Sequence, residues 1–129
     1  MNGRFLLDTN IVIAIFAEDT LVLLQLEEAE AIFVPSIAIG ELYYGAYKSG
    51  RVAANLARIQ EFIETNTILV CDEVTADYYG QITNMLRKKG RPIPVNDAWI
   101  AAVAMQHKLT LVSRDIHFQE IDGLLVERW

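Results

Sequence analysis

Several things are scarce in this sequence of 129 residues: it has one cysteine, two histidines and fewer basic than acidic side chains. Cys71 alone can close no internal disulfide, which excludes a disulfide-stapled secreted fold and makes a reducing cytoplasm the expected setting. With so few sulfur and imidazole ligands, a zinc site is not expected. Lys plus Arg number 11 against 17 Asp plus Glu, a formal net charge of -6. That balance excludes a protein that coats nucleic acid by charge alone, because such binders displace counterions with a basic surface. Long apolar runs are missing too. Every apolar stretch meets a charge before the ~20 residues a membrane helix needs, and Asp8 falls where the uninterrupted apolar run of a signal peptide is expected.

Apolar residues themselves are plentiful, at 53% of the chain, which excludes disorder and a fibrous repeat. The length fits one domain over residues 1–129. Arg4 to Asp8 reads as a strand and Thr9 to Ala17 as a helix with a polar Thr-Asn start. Leu21 to Ala29 reads as helix and Ala31 to Val34 as a strand stopped by Pro35. Ser36 is the expected N-cap of a helix over Ile37 to Lys48, and Val52 to Thr65 puts Leu56, Ile59 and Ile63 on one helical face. Thr67 to Val70 is a third strand. Val74 to Lys89 is a long helix stopped by Gly90, and Ala98 to Gln106 an almost wholly apolar one. Leu109 to Val112 and Leu124 to Val126 complete the strands. Alternating strands and helices predict an α/β fold, a three-layer α/β/α sandwich around a mainly parallel sheet.

The informative residues are acids in places that should be apolar. From Phe5 to Ala17 the only charge is Asp8; from Ala31 to Tyr47 it is Glu41; from Pro92 to His107 it is Asp97. An ionised carboxylate in an apolar setting costs several kcal/mol unless it is paired, hydrogen-bonded or bound to metal. Asp8 ends the first strand, Asp115 follows the LTLVS strand by two residues, Asp97 stands in the first turn of a helix, and Glu41 lies on the helix after the second strand. In open α/β sheets the carboxyl ends of the strands form the ligand crevice, so all four can meet there. Clustered carboxylates call for a divalent cation, and oxygen-only ligands select Mg2+ or Mn2+. Such a cation activates water and stabilises phosphoryl charge, so the expected chemistry is attack on a phosphate ester. Each acid also has an ordinary use: Asp8 as a helix cap, Asp97 as a partner of a helix dipole, Asp115 in a polar turn. Glu41, mid-helix among Ile37, Gly40 and Tyr44, is the hardest to explain that way.

At FLLDTN (Phe5 to Asn10), PSIAIGELYYG (Pro35 to Gly45), VNDAWIAA (Val95 to Ala102) and LVSRDIHF (Leu111 to Phe118), the chain resembles the PIN-domain ribonucleases, and among them the VapC-type toxins of toxin–antitoxin pairs. The resemblance covers essentially the whole chain. It implies a Mg2+- or Mn2+-dependent endoribonuclease whose acidic quartet is Asp8, Glu41, Asp97 and Asp115, supported by the polar residues Asn10, Asn96 and Ser113. It also implies a small antitoxin partner and a homodimer. Hydrolysis by activated water leaves 5′-phosphate and 3′-hydroxyl ends. His107 ends a helix and His117 is expected to pack beside Phe118, so neither is expected to serve a metal-independent mechanism.

The run Arg87, Lys88, Lys89, Arg91 precedes Asp97 and is a candidate for holding an RNA backbone, with helix-dipole stabilisation as its ordinary use. Arg114 is a second candidate phosphate contact. Tyr43, Tyr44 and Tyr47 surround Glu41, where core packing is the commoner role and base stacking the alternative. Trp99 is expected in the core. Three other classes share features of this pattern. A metal-dependent phosphatase of the haloacid-dehalogenase type needs a second Asp where Asn10 stands, and a response-regulator receiver needs an acidic pair and a late Lys that are missing. A non-catalytic RNA- or protein-binding module would use the acids for structure alone.

Overall fold

The computed structural model describes residues 3–129; Met1 and Asn2, which the expected 1–129 domain includes, lie outside the described residues. The chain runs β1 (Arg4–Leu7), α1 (Thr9–Phe16), α2 (Thr20–Glu28), β2 (Ala31–Pro35), α3 (Ser36–Tyr47), α4 (Val52–Thr65), β3 (Thr67–Leu69), α5 (Glu73–Lys89), α6 (Val95–Gln106), β4 (Thr110–Val112), a 3-10 helix (Ile116–Glu120) and β5 (Val126–Glu127). The strands form one sheet in the order β3-β2-β1-β4-β5, and all four pairings are parallel.

The strands are apolar throughout because both faces of the sheet are covered. Phe5 and Leu7 point into one core together with Val34, Val112 and residues of α1 to α4. Leu6 and Leu111 point into the other, with Ile82 and Leu86 of α5, the buried run Ile100 to Ala104 of α6, and Phe118. Alternating residues of β1 therefore serve opposite layers, which gives the expected α/β/α sandwich. α6 is buried on most sides, and its alanines (Ala98, Ala101, Ala102, Ala104) let it lie close to its neighbours.

The local chemistry differs from the sequence expectation at several helix starts. At α1 the cap is Asp8, the ordinary use the sequence offers for it, rather than the Thr-Asn start, with its side chain accepting from the Thr9 N–H. Ser36 is the first residue of α3 rather than its cap; Pro35 precedes it, closes β2, and makes no side-chain cap bond. α6 begins at Val95, three residues before the expected Ala98, because Pro94 sits at the position just outside the helix, where its missing N–H costs nothing. α5 ends as expected at Gly90, whose φ of 69° is a conformation that a residue with a Cβ resists. Among the described residues no single helix is long and apolar enough to cross a membrane.

The topology fixes where a site can form. From β1 the chain moves to β2 and β3 on one side, then crosses back to β4 and β5 on the other. The carboxyl ends of β1 and β4, adjacent but reached in opposite directions, flank the switch point where open α/β sheets leave a crevice.

Candidate active site

Asp8 follows the last residue of β1 and Ser113 follows the last residue of β4, so the sheet register alone brings them together. The Ser113 hydroxyl donates to Asp8 Oδ2 at 2.7 Å, the Thr9 N–H donates to Oδ1 at 2.8 Å, and Asn10 Nδ2 donates to Oδ2 at 3.3 Å. Asp8 is only 5% exposed. Burial pushes its pKa up to about 6, against the pull of the Ser113 and Thr9 hydrogen bonds, with further upward pressure from the charges of Asp97 and Glu41. Three donors occupy three of the roughly four lone-pair positions of a carboxylate, which leaves one for a ligand.

Asn10 and Ser113 extend this network. Asn10 Oδ1 accepts from the Arg114 N–H at 3.3 Å, and Ser113 Oγ accepts from the Asp115 N–H at 3.0 Å. The loop after β4 is thereby tied to the first turn of α1. Asp115 caps the 3-10 helix, accepting from the His117 N–H at 3.0 Å, so the turn role and a place in the acidic cluster coexist in one residue.

Asp97 reaches the same place from the first turn of α6. Its pKa is raised by burial, opposed by the hydrogen bond from His117, and raised further by the charges of Asp115 and Glu41. His117 stands between the two acids, with Nδ1 at 3.1 Å from Asp97 Oδ2 and 2.9 Å from Asp115 Oδ1. Ligand atoms of Asp97, Asp115 and His117 all lie within 4.8 Å of one another. The expectation that His117 packs beside Phe118 is corrected here. Phe118 is fully buried, whereas the His117 side chain is 45% exposed and turned to the acids. The available signal was its position two residues after Asp115, on the loop leaving β4.

Glu41 sits one turn into α3 and accepts a 2.6 Å hydrogen bond from the Thr9 hydroxyl, a contact that sequence reasoning missed. Thr9 thus links two acids, Asp8 through its N–H and Glu41 through its hydroxyl. Among the described residues no lysine or arginine pairs with Asp8, Glu41, Asp97 or Asp115; the one basic side chain in ion-pair range is His117. The donor set is therefore dominated by hard oxygens, an acidic cluster compatible with a divalent cation. Asn96 is exposed beside this set and lines an open groove of about 650 Å³ with Ser36, Glu41, Tyr44 and Lys48, without a hydrogen bond to any of the four acids.

The basic residues are distributed differently from the acids. Lys89 is held by Asp122 at 2.9 Å and by the Glu120 carbonyl at 2.8 Å, Arg91 lies 3.8 Å from Glu120, and Arg87 donates to Asn84. Lys88 is exposed and makes no ion pair among the described residues. Arg114 is committed: its guanidinium binds Asp19 at 2.9 Å and the Trp129 carbonyl at 2.9 Å. Tyr43 stacks on Tyr47, while Tyr44 is 67% exposed beside the Glu41 groove. Trp99 is partly buried and stacked on Tyr79. A second groove, about 370 Å³ and mainly apolar, runs from Glu41 between Ile13, Phe16, Leu42, Ala46 and Ile59, with Arg58 at its side.

Comparison with known proteins agrees with this geometry. The chain is 38% identical to ribonuclease VapC2 of Haemophilus influenzae over 129 residues, 98% of each chain. It is 35% identical to the tRNA(fMet)-specific endonuclease VapC of Shigella flexneri over 97 residues, 74% of each. Among solved structures, DNA-bound VapBC from Salmonella typhimurium superposes with a TM-score of 0.91 at 32% identity, covering 100% of this chain and 99% of that one. VapBC2 from Rickettsia felis, bound to a promoter DNA fragment, gives 0.90 at 31% identity and 98% of both chains. A family model described as PIN domain matches residues 5–124, which takes in all four acids, β1 from Phe5 onward and the whole of β2, β3 and β4. The resemblance seen in the sequence is borne out, and the protein belongs to the PIN domain family.

Proposed function

We propose that residues 1–129 form a single nuclease domain, a Mg2+- or Mn2+-dependent endoribonuclease acting as the toxin of a toxin–antitoxin pair. The observation that carries this reading is the Asp97–Asp115–His117 cluster, with Asp8 and Glu41 near enough for their charges to act on Asp97 and, among the described residues, no lysine or arginine paired to the four acids. The names of the relatives supply the substrate class, RNA. A divalent cation, when bound, offsets the repulsion among the acids, lowers the pKa of a water for attack on phosphorus and takes up charge on the phosphoryl oxygens.

The protein's own residues do the positioning. Asp8, Asp97, Asp115 and Glu41 hold the cation. Ser113 and Asn10 fix the Asp8 carboxylate, and Thr9 fixes Glu41, which we assign to orienting the nucleophile. Asn96, exposed and lining the Glu41 groove, we assign to meeting substrate rather than to bracing the acids. In-line attack leaves 5′-phosphate and 3′-hydroxyl ends. Arg87, hydrogen-bonded only to the neutral Asn84, and Lys88 are the basic residues assigned to the RNA backbone; Lys89, Arg91 and Arg114 reach it only by leaving their acidic partners.

The solved neighbours are toxin–antitoxin complexes, which supports a small antitoxin as partner, and the apolar groove beside Glu41 is a surface suited to one. A homodimer in the cytoplasm completes the proposal. The test is cleavage of a panel of structured RNAs by purified protein with Mg2+, with Mn2+ and with chelator, using Asp8→Asn as control. Cleavage that survives chelation, or is equal in the variant, overturns the reading, as does a 2′,3′-cyclic phosphate product.

A further inference from the structure

We infer that His117 is a nitrogen ligand of the divalent cation and tunes the site toward Mn2+ over Mg2+. The inference rests on the metal-dependent reading above and assigns a role to a residue outside the acidic quartet. Two anionic oxygens converge on one ring atom: Nδ1 lies 2.9 Å from Asp115 Oδ1 and 3.1 Å from Asp97 Oδ2. A ring nitrogen carries at most one proton, so two carboxylates facing it compete for a single hydrogen. A cation in place of that proton is shared by all three atoms.

The separations suit such an ion. Ligand atoms about 2.1 Å from an octahedral metal sit about 3.0 Å apart on neighbouring corners, which is the spacing already present between Nδ1 and each oxygen. The placement is held by backbone. The 3-10 helix is capped by Asp115 and anchored by the fully buried Phe118, the residue immediately after His117. With 45% of its side chain exposed, the imidazole stays reachable by an ion from solvent. Mg2+ is a strictly hard ion that favours oxygen and retains its waters, whereas Mn2+ accepts an imidazole more readily. One nitrogen among carboxylate oxygens therefore shifts preference toward Mn2+.

Mn2+ itself is the probe. Pulsed EPR of the full chain with substoichiometric Mn2+ is expected to show modulation from a directly bound imidazole nitrogen, and His117→Ala to lose it. Loss of this ligand lowers Mn2+ affinity by about tenfold or more and Mg2+ affinity by less, so Mn2+/Mg2+ competition moves toward Mg2+. His117→Asp, which offers oxygen in place of nitrogen, is expected to retain ion binding without the nitrogen signal. Bound Mn2+ with no nitrogen modulation in the unaltered protein overturns the inference, makes His117 a hydrogen-bond clamp, and leaves the metal-dependent reading standing. A nitrogen signal that persists in His117→Ala also overturns it. No Mn2+ binding by the unaltered protein removes both this inference and the metal-dependent function.

Discussion

Ser113 donates its hydroxyl proton to Asp8 over 2.7 Å although 105 residues separate the two in sequence. The bond joins the ends of β1 and β4, and the same hydroxyl oxygen accepts the Asp115 N–H. One serine thus sets the relative position of two acids and makes the site a property of sheet register rather than of loop packing. The bond also supplies a donor to a carboxylate that is only 5% exposed.

The first prediction concerns Asp8 and pH. Its folded pKa of about 6 lies above the ordinary 3.8, so the folded state binds more protons than the unfolded state between those values. Stability from this group therefore falls as pH rises from about 4 to 6 and stays low above. The difference corresponds to about 3 kcal/mol at most at 1.36 kcal/mol per pH unit. Asp8→Asn keeps the cap and removes the charge, so in chelator at pH 8 it is expected to unfold at higher urea than the unaltered protein. The two curves converge near pH 4. Parallel curves at both pH values contradict a buried, costly charge.

A second prediction follows from the repulsion among the acids. Adding Mg2+ or Mn2+ at about a hundred times its Kd stabilises the folded state by about 2.7 kcal/mol, which for a domain of this size is roughly 10 °C in Tm. Chelator reverses the shift, and an Asp97→Asn, Asp115→Asn double variant shows none. Thermal melts with and without ion decide the matter.

Arginine and lysine near the site should separate into two kinds. Arg114 braces α2 and the carbonyl of Trp129, so Arg114→Ala is expected to lower stability by about 1–2 kcal/mol with little change in the salt dependence of RNA binding. Lys88→Glu should do the reverse, leaving the melt unchanged while reducing RNA affinity and flattening its salt slope by about one or more. Binding isotherms at several salt concentrations distinguish them.

Thr9→Val tests the link between α1 and α3. The fold is expected to survive, since the backbone bond to Asp8 remains. Cleavage is expected to slow by about tenfold through kcat, because Glu41 loses the hydrogen bond that orients it. An unchanged kcat would show that Glu41 needs no such support.

Most of the architecture was legible because parallel strands buried on both faces read as uninterrupted apolar runs, and a single acid in such a run is conspicuous. Asp8, Glu41 and Asp97 stand out for that reason. His117 and Thr9 did not, since an ordinary polar residue looks the same in sequence whether it faces solvent or an acid; the loop after β4 turns His117 to Asp97 and Asp115, and the packing of α1 beside α3 brings Thr9 to Glu41. The helix starts at Ser36 and Val95 differ from the expected ones for a related cause: proline occupies the N-cap position in both, so the cap expected at Ser36 is absent and the helix expected from Ala98 starts three residues earlier. Arg114 was read as a phosphate contact because its partners, Asp19 and Trp129, are remote in sequence.

Asp8 and Asp115 each cap a helix while also standing in the acidic cluster. Asparagine is as good a cap as aspartate but carries no charge. The genetic code joins the two residues by one transition at the first codon base. A lineage can therefore silence such a site in a single mutational step and retain a folded protein, still able to occupy whatever binds its surface.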